Sequence, residues 1–312
     1  MQAKLIKDSI ANGIRICTFV LVYPRIIHSE LMTHRVFSRN AASSRAIPTA
    51  AIIQNLRDDP AEIVWWGKNM SGMQAKEELS GIKLRLAKLG WATARELAIL
   101  AARFMNAVRL HKQIANRVLE PFQNIRVVVT STEWNNFFAL RNHADAQPEF
   151  KALAQMMYSA MDSSNPQPLK PGEWHIPYVE IHSDTLGNTF YGIWDNGKFI
   201  KLGLQEALKI SASMAAQESY RKSDPSLEKA EAMWERLVGQ MPVHASPTEH
   251  QAQAMQITNW VPSPKGLNGQ GFVNMIENAG ITHMDRYGQY WSGNFRGFIQ
   301  HRQLISNHAV KG

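Results

Sequence analysis

A single cysteine, Cys17, stands among 312 residues. The chain therefore closes no disulfide on itself and builds no cysteine-based zinc site. Long hydrophobic runs are missing as well: no stretch reaches the roughly 18 apolar residues of a membrane span, and the N-terminal MQAKLIKDSIANGIR has no signal-peptide core. A cytoplasmic protein with no membrane partner is expected on those grounds. No run of five or more Lys and Arg marks a nucleic-acid tail, and nucleic acid is not the expected partner. The patterns GxGxxG, GxxxxGKS/T and HExxH are absent too, which argues against a dinucleotide-binding Rossmann enzyme, a P-loop enzyme and a zincin. His244 and His250 have no cysteine or carboxylate partners at ligand spacing, so no metal is expected.

What is present is a globular composition, with 45% hydrophobic residues, nine tryptophans and no low-complexity tract. Thirty-four Lys and Arg against 26 Asp and Glu give a formal charge of +8, which favours anionic partners such as nucleotides and phosphorylated cofactors.

Along the chain, Ile16 to Tyr23 (ICTFVLVY, ended by Pro24) and Ile125 to Thr130 read as buried strands. From Arg25 a helix is expected, with Glu30, His34 and Ser38 on one i, i+4 row. NAASSRAIP reads as a loop. Helical spacing dominates from about Lys76 to Leu119 and Pro121 closes it. Ser131 or Thr132 is placed to cap a helix carrying Trp134, Phe137, Phe138 and Arg141, and Pro148 to open another that runs to about Met161. SSNPQPLKPGEW marks a change of composition. This divides the chain into a core (1–162), a β-rich insertion (163–204) and a C-terminal part (205–312). The insertion has a hairpin turn at Asp195-Asn196-Gly197 between Thr189–Trp194 and Lys198–Leu202. Helices follow at about Gln205 to Tyr220 and Leu227 to Met241, whereas Trp260 to Gly297 reads as loops.

Three constellations carry chemistry. In HRVFSRNAASSR (His34 to Arg45) a helix exit presents Asn40, Ser43, Ser44 and Arg45, whose guanidinium, hydroxyl and N–H donors suit a nucleotide phosphate; a merely solvated, Ser-rich exit is the alternative. In EWNNFFALRNHADAQPEF, Arg141 ends a helix, where it also complements the helix dipole. In the third, ESYRK is followed by a helix and HASPTEH, whose Ser246-Pro247-Thr248-Glu249 also reads as a capping box.

The first block resembles the signature of the flavin-dependent thymidylate synthase (ThyX) family, an Arg-His-Arg triplet followed by spaced Ser, Asn, Ser and Arg. His34, Arg35, Ser38, Asn40, Ser43 and Arg45 match it, while Thr33 replaces the first Arg. The second is similar to the family's later block, with Gln147 and Glu149 matching its end. HKQIANRVLEPF resembles a family helix that carries an Arg to the phosphate; there Asn116 is the closest match and Arg117 stands one step, about 100°, around the helix. The third matches a family segment at Ser219, His244, Ser246 and Glu249, but it follows the other blocks where the family places it before them, as in a circular permutation.

The resemblance implies an α+β fold, a twisted sheet with long helices, assembled as a homotetramer with shared active sites. It implies an enzyme that transfers a one-carbon unit from methylenetetrahydrofolate to C5 of dUMP, with FAD reduced by NADPH. By resemblance Arg141 is the catalytic contact to the pyrimidine. Glu30, Ser43, Ser44, Arg45 and Arg117 fall to the nucleotide, and His34, Arg35, Asn40, Asn136, Ser219, His244, Ser246 and Glu249 to the flavin. Glu30 stands where the family has Gln. Either it reads a cytosine amino group, which would make dCMP and a C5-methyl or hydroxymethyl product the alternative, or it pairs with His34 on the helix surface. A non-catalytic nucleotide- or nucleic-acid-binding protein is a further alternative.

Overall fold

The computed structural model describes residues 1–185, 189–195, 197–219, 223–256 and 279–309. The described elements in order are β1 (Gln2–Ala11), β2 (Ile14–Pro24), α1 (His28–Leu31), β3 (Ser38–Ala41), α2 (Thr49–Asp58), α3 (Gly81–Ala107) and α4 (Lys112–Ala115). Then come β4 (Asn124–Ser131), α5 (Asn135–Arg141), α6 (Pro148–Asp162), β5 (Gln167–Pro168), β6 (Trp174–His175), β7 (Glu180–Ser183), β8 (Thr189–Asp195) and β9 (Lys198–Leu202). The last are α7 (Leu204–Ala216), α8 (Leu227–Leu237), β10 (Ala252–Ala254), β11 (His283–Met284), β12 (Tyr290–Ser292), β13 (Phe295–Arg296) and β14 (Phe298–Gln300).

The organising layer is a five-stranded sheet of order β3-β4-β2-β1-β5. β1 and β2 form a hairpin across Asn12-Gly13, where both residues hold positive φ (51° and 74°), the backbone a two-residue hairpin turn requires. Strand alternation then decides what each face carries. Cys17, Phe19, Leu21 and Tyr23 of β2, with Ile125, Val127 and Val129 of β4, turn toward α5 and α6 and bury against Trp134, Phe137, Phe150, Leu153 and Met157. Each of the larger side chains there contributes about 1.5–3 kcal/mol by leaving water. Thr18 and Thr130, paired across β2 and β4, face the other way. There a second sheet, β14-β10-β6, covers that side. The mixed α+β architecture agrees with the sequence expectation. Cys17 is fully buried and donates to Asp8 Oδ1 at 3.2 Å, and burial pushes its thiol pKa well up.

Several local expectations need correction. The helix after Pro24 is only a 3-10 turn (Arg25–Ile27) and one turn of α1. Arg39 stops it, because its Nη1 donates to the carbonyls of Leu31, Met32 and His34 at 3.1, 3.1 and 3.0 Å. Ser38 therefore leaves the expected helical row and pairs with Thr130 in β3, which also takes Asn40 and Ala41 out of the expected loop. α2 lies in a stretch for which no helix was expected. Neither Ser131 nor Thr132 caps α5; its N-cap is Trp134, and Ser131 Oγ accepts the Glu133 N–H instead. Ser246–Glu249 is a 3-10 turn entered from Ala245 with no side-chain cap, because Glu249 is taken by Arg302.

The strands β8 and β9 flank the expected hairpin turn, of which Asn196 lies outside the described residues. α7 ends at Ala216 and α8 at Leu237, short of the expected Tyr220 and Met241; Tyr220 is outside the described residues. Within the stretch read as loops, 257–278 lie outside the described residues, but 279–297 carry β11, β12 and β13 as a small sheet.

Candidate active site

Arg141, at the last turn of α5, is the centre of the first cluster. Its Nη1 donates to Glu30 Oε2 at 2.8 Å, its Nε to His34 Nε2 at 3.0 Å, and its Nη2 reaches Thr33 Oγ1 at 3.4 Å. The guanidinium lies 4.6 Å over the Phe150 ring. His34 is buried, stacks on Phe37 and meets Phe137 edge-on. Burial, then the charges of Arg141 and Arg39, lower its pKa to about 4. The neutral imidazole accepts from Arg141 and cannot repel it. Glu30 and His34 thus do not pair with each other: both hold the same guanidinium in place.

This cluster forms part of the wall of an open cleft of about 690 Å³, together with Trp65, Met73, Gln147 and Glu149. Glu149 is buried. One oxygen accepts the Val64 N–H at 2.9 Å and the other the Gln147 amide at 3.3 Å, which pins the 61–79 segment beside the cleft. The size suits a small organic ligand.

A second cluster holds the Ser43–Arg45 loop. Asn116 is fully buried; its amide donates to the carbonyls of Ser44 (2.7 Å) and Ile47 (3.0 Å) and accepts from Thr49 Oγ1 (2.8 Å). Glu120 collects Ser44 Oγ, Arg25 and Arg117 on one oxygen, at 2.6, 3.1 and 2.9 Å. Asn116 is thus the internal strut, and half-exposed Arg117 the cation at the surface. Arg45 is exposed.

The third block comes to the same neighbourhood. Ser219 Oγ accepts the Ser43 N–H at 2.8 Å, and Glu218 beside it accepts from Arg126 (2.7 Å) and Tyr178 (3.0 Å). The Asn40 amide, oriented by its surroundings, donates to Ser246 O at 3.1 Å. Gln300 donates to Ser38 Oγ at 2.9 Å and to the Glu249 carbonyl at 3.2 Å. His244 is exposed at the exit of α8, beside Trp234 and Thr248, and no side-chain hydrogen bond joins it to the described residues. Arg35 and Asn136 are likewise exposed without such a bond. Among the described residues, no group of three or more His, Cys, Asp or Glu could hold a metal, and no helix is long and apolar enough to cross a membrane.

Sequence reasoning did not reach Glu120, Arg25, Arg126 or Gln300. Glu120 lies within HKQIANRVLEPF without being marked by it, the other three stand in no motif, and each has a partner far away in sequence.

Residues 14–167 match the family model described as Thymidylate synthase complementing protein. Through these residues the chain belongs to that family, the ThyX type. The third block lies beyond the match. Among solved structures, the chain is similar to a UMP/dUMP methylase PolB from Streptomyces cacaoi bound with 5-Br dUMP. The two share 16% identity over 51% of this chain and 89% of that one, with a TM-score of 0.44. It is also similar to the flavin dependent thymidylate synthase ThyX from Helicobacter pylori complexed with FAD and dUMP, at 17% identity over 47% and 67%, with a TM-score of 0.31. No curated protein matches the chain.

Proposed function

We propose that the chain is an FAD-dependent enzyme that transfers a one-carbon unit from methylenetetrahydrofolate to C5 of a pyrimidine deoxynucleotide monophosphate, dUMP first, with NADPH as reductant. The observation that carries this reading is Arg141, fixed at a cleft by Glu30 and His34. When C5 of the pyrimidine attacks a one-carbon donor, negative charge builds on the neighbouring ring oxygen. A guanidinium already oriented there stabilises that charge without reorganising. No cysteine nucleophile is needed, in keeping with a Cys17 thiol locked in β2.

The donor set fits a nucleotide and a flavin. Ser43 and Arg45, on a loop braced by Asn116 and Glu120, with Arg117 beside them, offer cation and hydroxyl to a phosphate; Ser44, expected among these contacts, is buried with its hydroxyl donated to Glu120 and braces the loop instead. Exposed Arg35 and Asn136, together with His34, Asn40, Ser219, His244 and Ser246, provide amide, hydroxyl, imidazole and guanidinium groups for FAD, whereas the Glu249 carboxylate, expected among them, is held by Arg302. Bound FAD would supply the reducing equivalents that complete the methyl group. A homotetramer is part of the proposal and is supported by α3. This 27-residue helix leaves Ile82, Leu86 and Leu89, and two turns further on Leu97, Leu100 and Phe104, exposed at spacings of three and four within each group, an apolar stripe that a second copy would cover.

Glu30 favours a second reading of the base. Its Oε2 is engaged by Arg141, while its Oε1 makes no hydrogen bond to another described residue. A carboxylate oxygen accepts from a cytosine amino group and repels a uracil carbonyl, so dCMP, methylated or hydroxymethylated, is the alternative substrate. The test is incubation with FAD, NADPH, methylenetetrahydrofolate and equal dUMP and dCMP, with products read by mass spectrometry. A methyl-mass gain on dUMP supports thymidylate synthesis, and a gain on dCMP supports the second reading. No product on either base, with DNA binding instead, would leave a non-catalytic binder. Arg141→Ala should lower turnover by about 10²- to 10³-fold.

A further inference from the structure

One wall of the cleft at Arg141 is made by a segment to which the proposed reaction gives no task. Residues 61–79 leave the core at buried Ala61, whose N–H donates to the Phe122 carbonyl at 2.9 Å, and turn back on themselves as a small ribbon. Gly67 and Glu78 pair antiparallel, the Lys68 N–H donates to the Glu77 carbonyl at 2.8 Å, and the Leu79 N–H donates to the Trp66 carbonyl at 2.7 Å. Two ties fasten the ribbon to the stretch that follows Arg141. Glu149 Oε1 accepts the Val64 N–H at 2.9 Å, and the Gln74 side chain donates to the Asp145 carbonyl at 3.0 Å. The two rims of the cleft are thereby joined.

Trp65 is the one aromatic side chain among the described residues that line this cleft. It is 38% exposed, and no ring or cation of the described residues stacks on it. The indole is nevertheless fixed in place. Its Nε1 donates to the Ala75 carbonyl at 3.2 Å, and Gly67 lies against the same edge, where an added Cβ would stand 3.3 Å from Nε1 and 2.1 Å from the Ala75 Cβ. Only glycine permits that approach. Protein therefore occupies the pyrrole edge, and a large, rigid aromatic surface borders the cleft without a partner of its own.

Charge decides which end of a nucleotide such a cleft accepts. Its lining carries Glu30, Asp145 and Glu149 against Arg141 alone, and Arg141 is already paired with Glu30. An excess of carboxylates repels a phosphate, whereas a neutral ring meets Arg141 and Glu30 with its polar edge and the indole with its face. The phosphate is left to the Ser43–Arg45 loop. We propose that Trp65 is the stacking platform for the pyrimidine ring whose edge meets Arg141, and that the 61–79 ribbon holds this platform in the cleft. The inference rests on the proposed function, since it takes the ligand to be a pyrimidine nucleotide. Every flat base has a π face, so Trp65 supplies affinity and orientation while Glu30 and Arg141 read the edge. A platform held in advance contributes more than a mobile one, because little ordering is left to be done on binding.

The test is calorimetric binding of dUMP and dCMP, and of the 5,6-dihydro form of whichever binds more tightly, to the full chain. Wild type is compared with Trp65→Ala, Trp65→Leu and Trp65→Phe, with melting midpoints measured in parallel. Saturating the C5–C6 bond puckers the ring and removes its flat π face but keeps its carbonyl and N–H edge. Trp65→Ala should weaken the flat nucleotide by roughly 5- to 150-fold and the dihydro form by less than about twofold. Trp65→Leu, which keeps apolar bulk without a ring, should lose as much, and Trp65→Phe should recover most of the loss. A loss below about fivefold on the flat nucleotide would overturn the proposal. So would an equal loss on both ligands, which is what collapse of the ribbon or plain apolar packing would give. If wild type binds neither dUMP nor dCMP, the proposed function fails and the stacking with it; if wild type binds and Trp65→Ala binds as well, the stacking alone fails.

Discussion

Glu30→Gln is the substitution from which most can be learned, because the site separates its structural cost from its chemical effect. The Glu30–Arg141 pair leaves the two side chains 32% and 19% exposed. An ion pair at that degree of exposure contributes about 1 kcal/mol at most. The glutamine oxygen still accepts from Arg141 Nη1, and His34 still accepts from Nε. Folding should therefore change little, with a shift of the melting midpoint of no more than a few degrees. Base choice should change more. A carboxylate oxygen at this wall accepts from a cytosine amino group, whereas a glutamine NH2 donates to a uracil carbonyl. Discrimination by one such contact is about 1–3 kcal/mol, which moves the ratio of kcat/KM for dCMP over dUMP roughly 5- to 150-fold toward dUMP. The assay is competition between equal dUMP and dCMP, with both products quantified by mass spectrometry and the melting midpoint measured in parallel. A ratio that moves less than twofold, with the fold intact, would refute base reading by Glu30 and leave it as the residue that orients Arg141.

Three further outcomes are expected. Asn116→Ala deletes three buried hydrogen bonds under the Ser43–Arg45 loop and should destabilise the chain by about 2–4 kcal/mol in urea titration; a loss under 1 kcal/mol would contradict its role as a strut. Acid should unfold the protein early. His34 and His301 are lowered to about 4 and His250 to about 3, each chiefly by burial, so the unfolded chain binds more protons than the folded one below about pH 6.5. Stability is then complete above pH 6.5 and falls by about 1.4 kcal/mol per histidine per pH unit down to each folded value, so a melting midpoint that stays flat from pH 7 to 4 would sink the argument. Leu89→Glu with Leu100→Glu on α3 should lower the mass seen by light scattering if a second copy covers that stripe, and an unchanged mass would place the oligomer contact elsewhere.

The sequence by itself determined what local chemistry controls. The β-branched run of β2, the alternation that sends Phe19 and Leu21 to one face and Thr18 to the other, and Pro148 opening α6 could all be read from neighbouring residues, because strand and helix periods are local properties. Resemblance to the family's motifs, rather than spacing alone, singled out Glu30, His34, Asn40, Ser43 and Arg141. Tertiary structure decided how they are used. Arg39 ended a helix whose periodicity continued, since three backbone carbonyls accept from one guanidinium. The capping-box pattern at Ser246–Glu249 gave way because Glu249 has Arg302 as a partner 53 residues away in sequence. The third block reached Asn40 and Ser43 only by packing against β3. His250 acquired its neighbours, Thr130 and Asn40, only when two sheets met and water was excluded, and no periodicity in a chain records which distant hydroxyl will satisfy a buried imidazole.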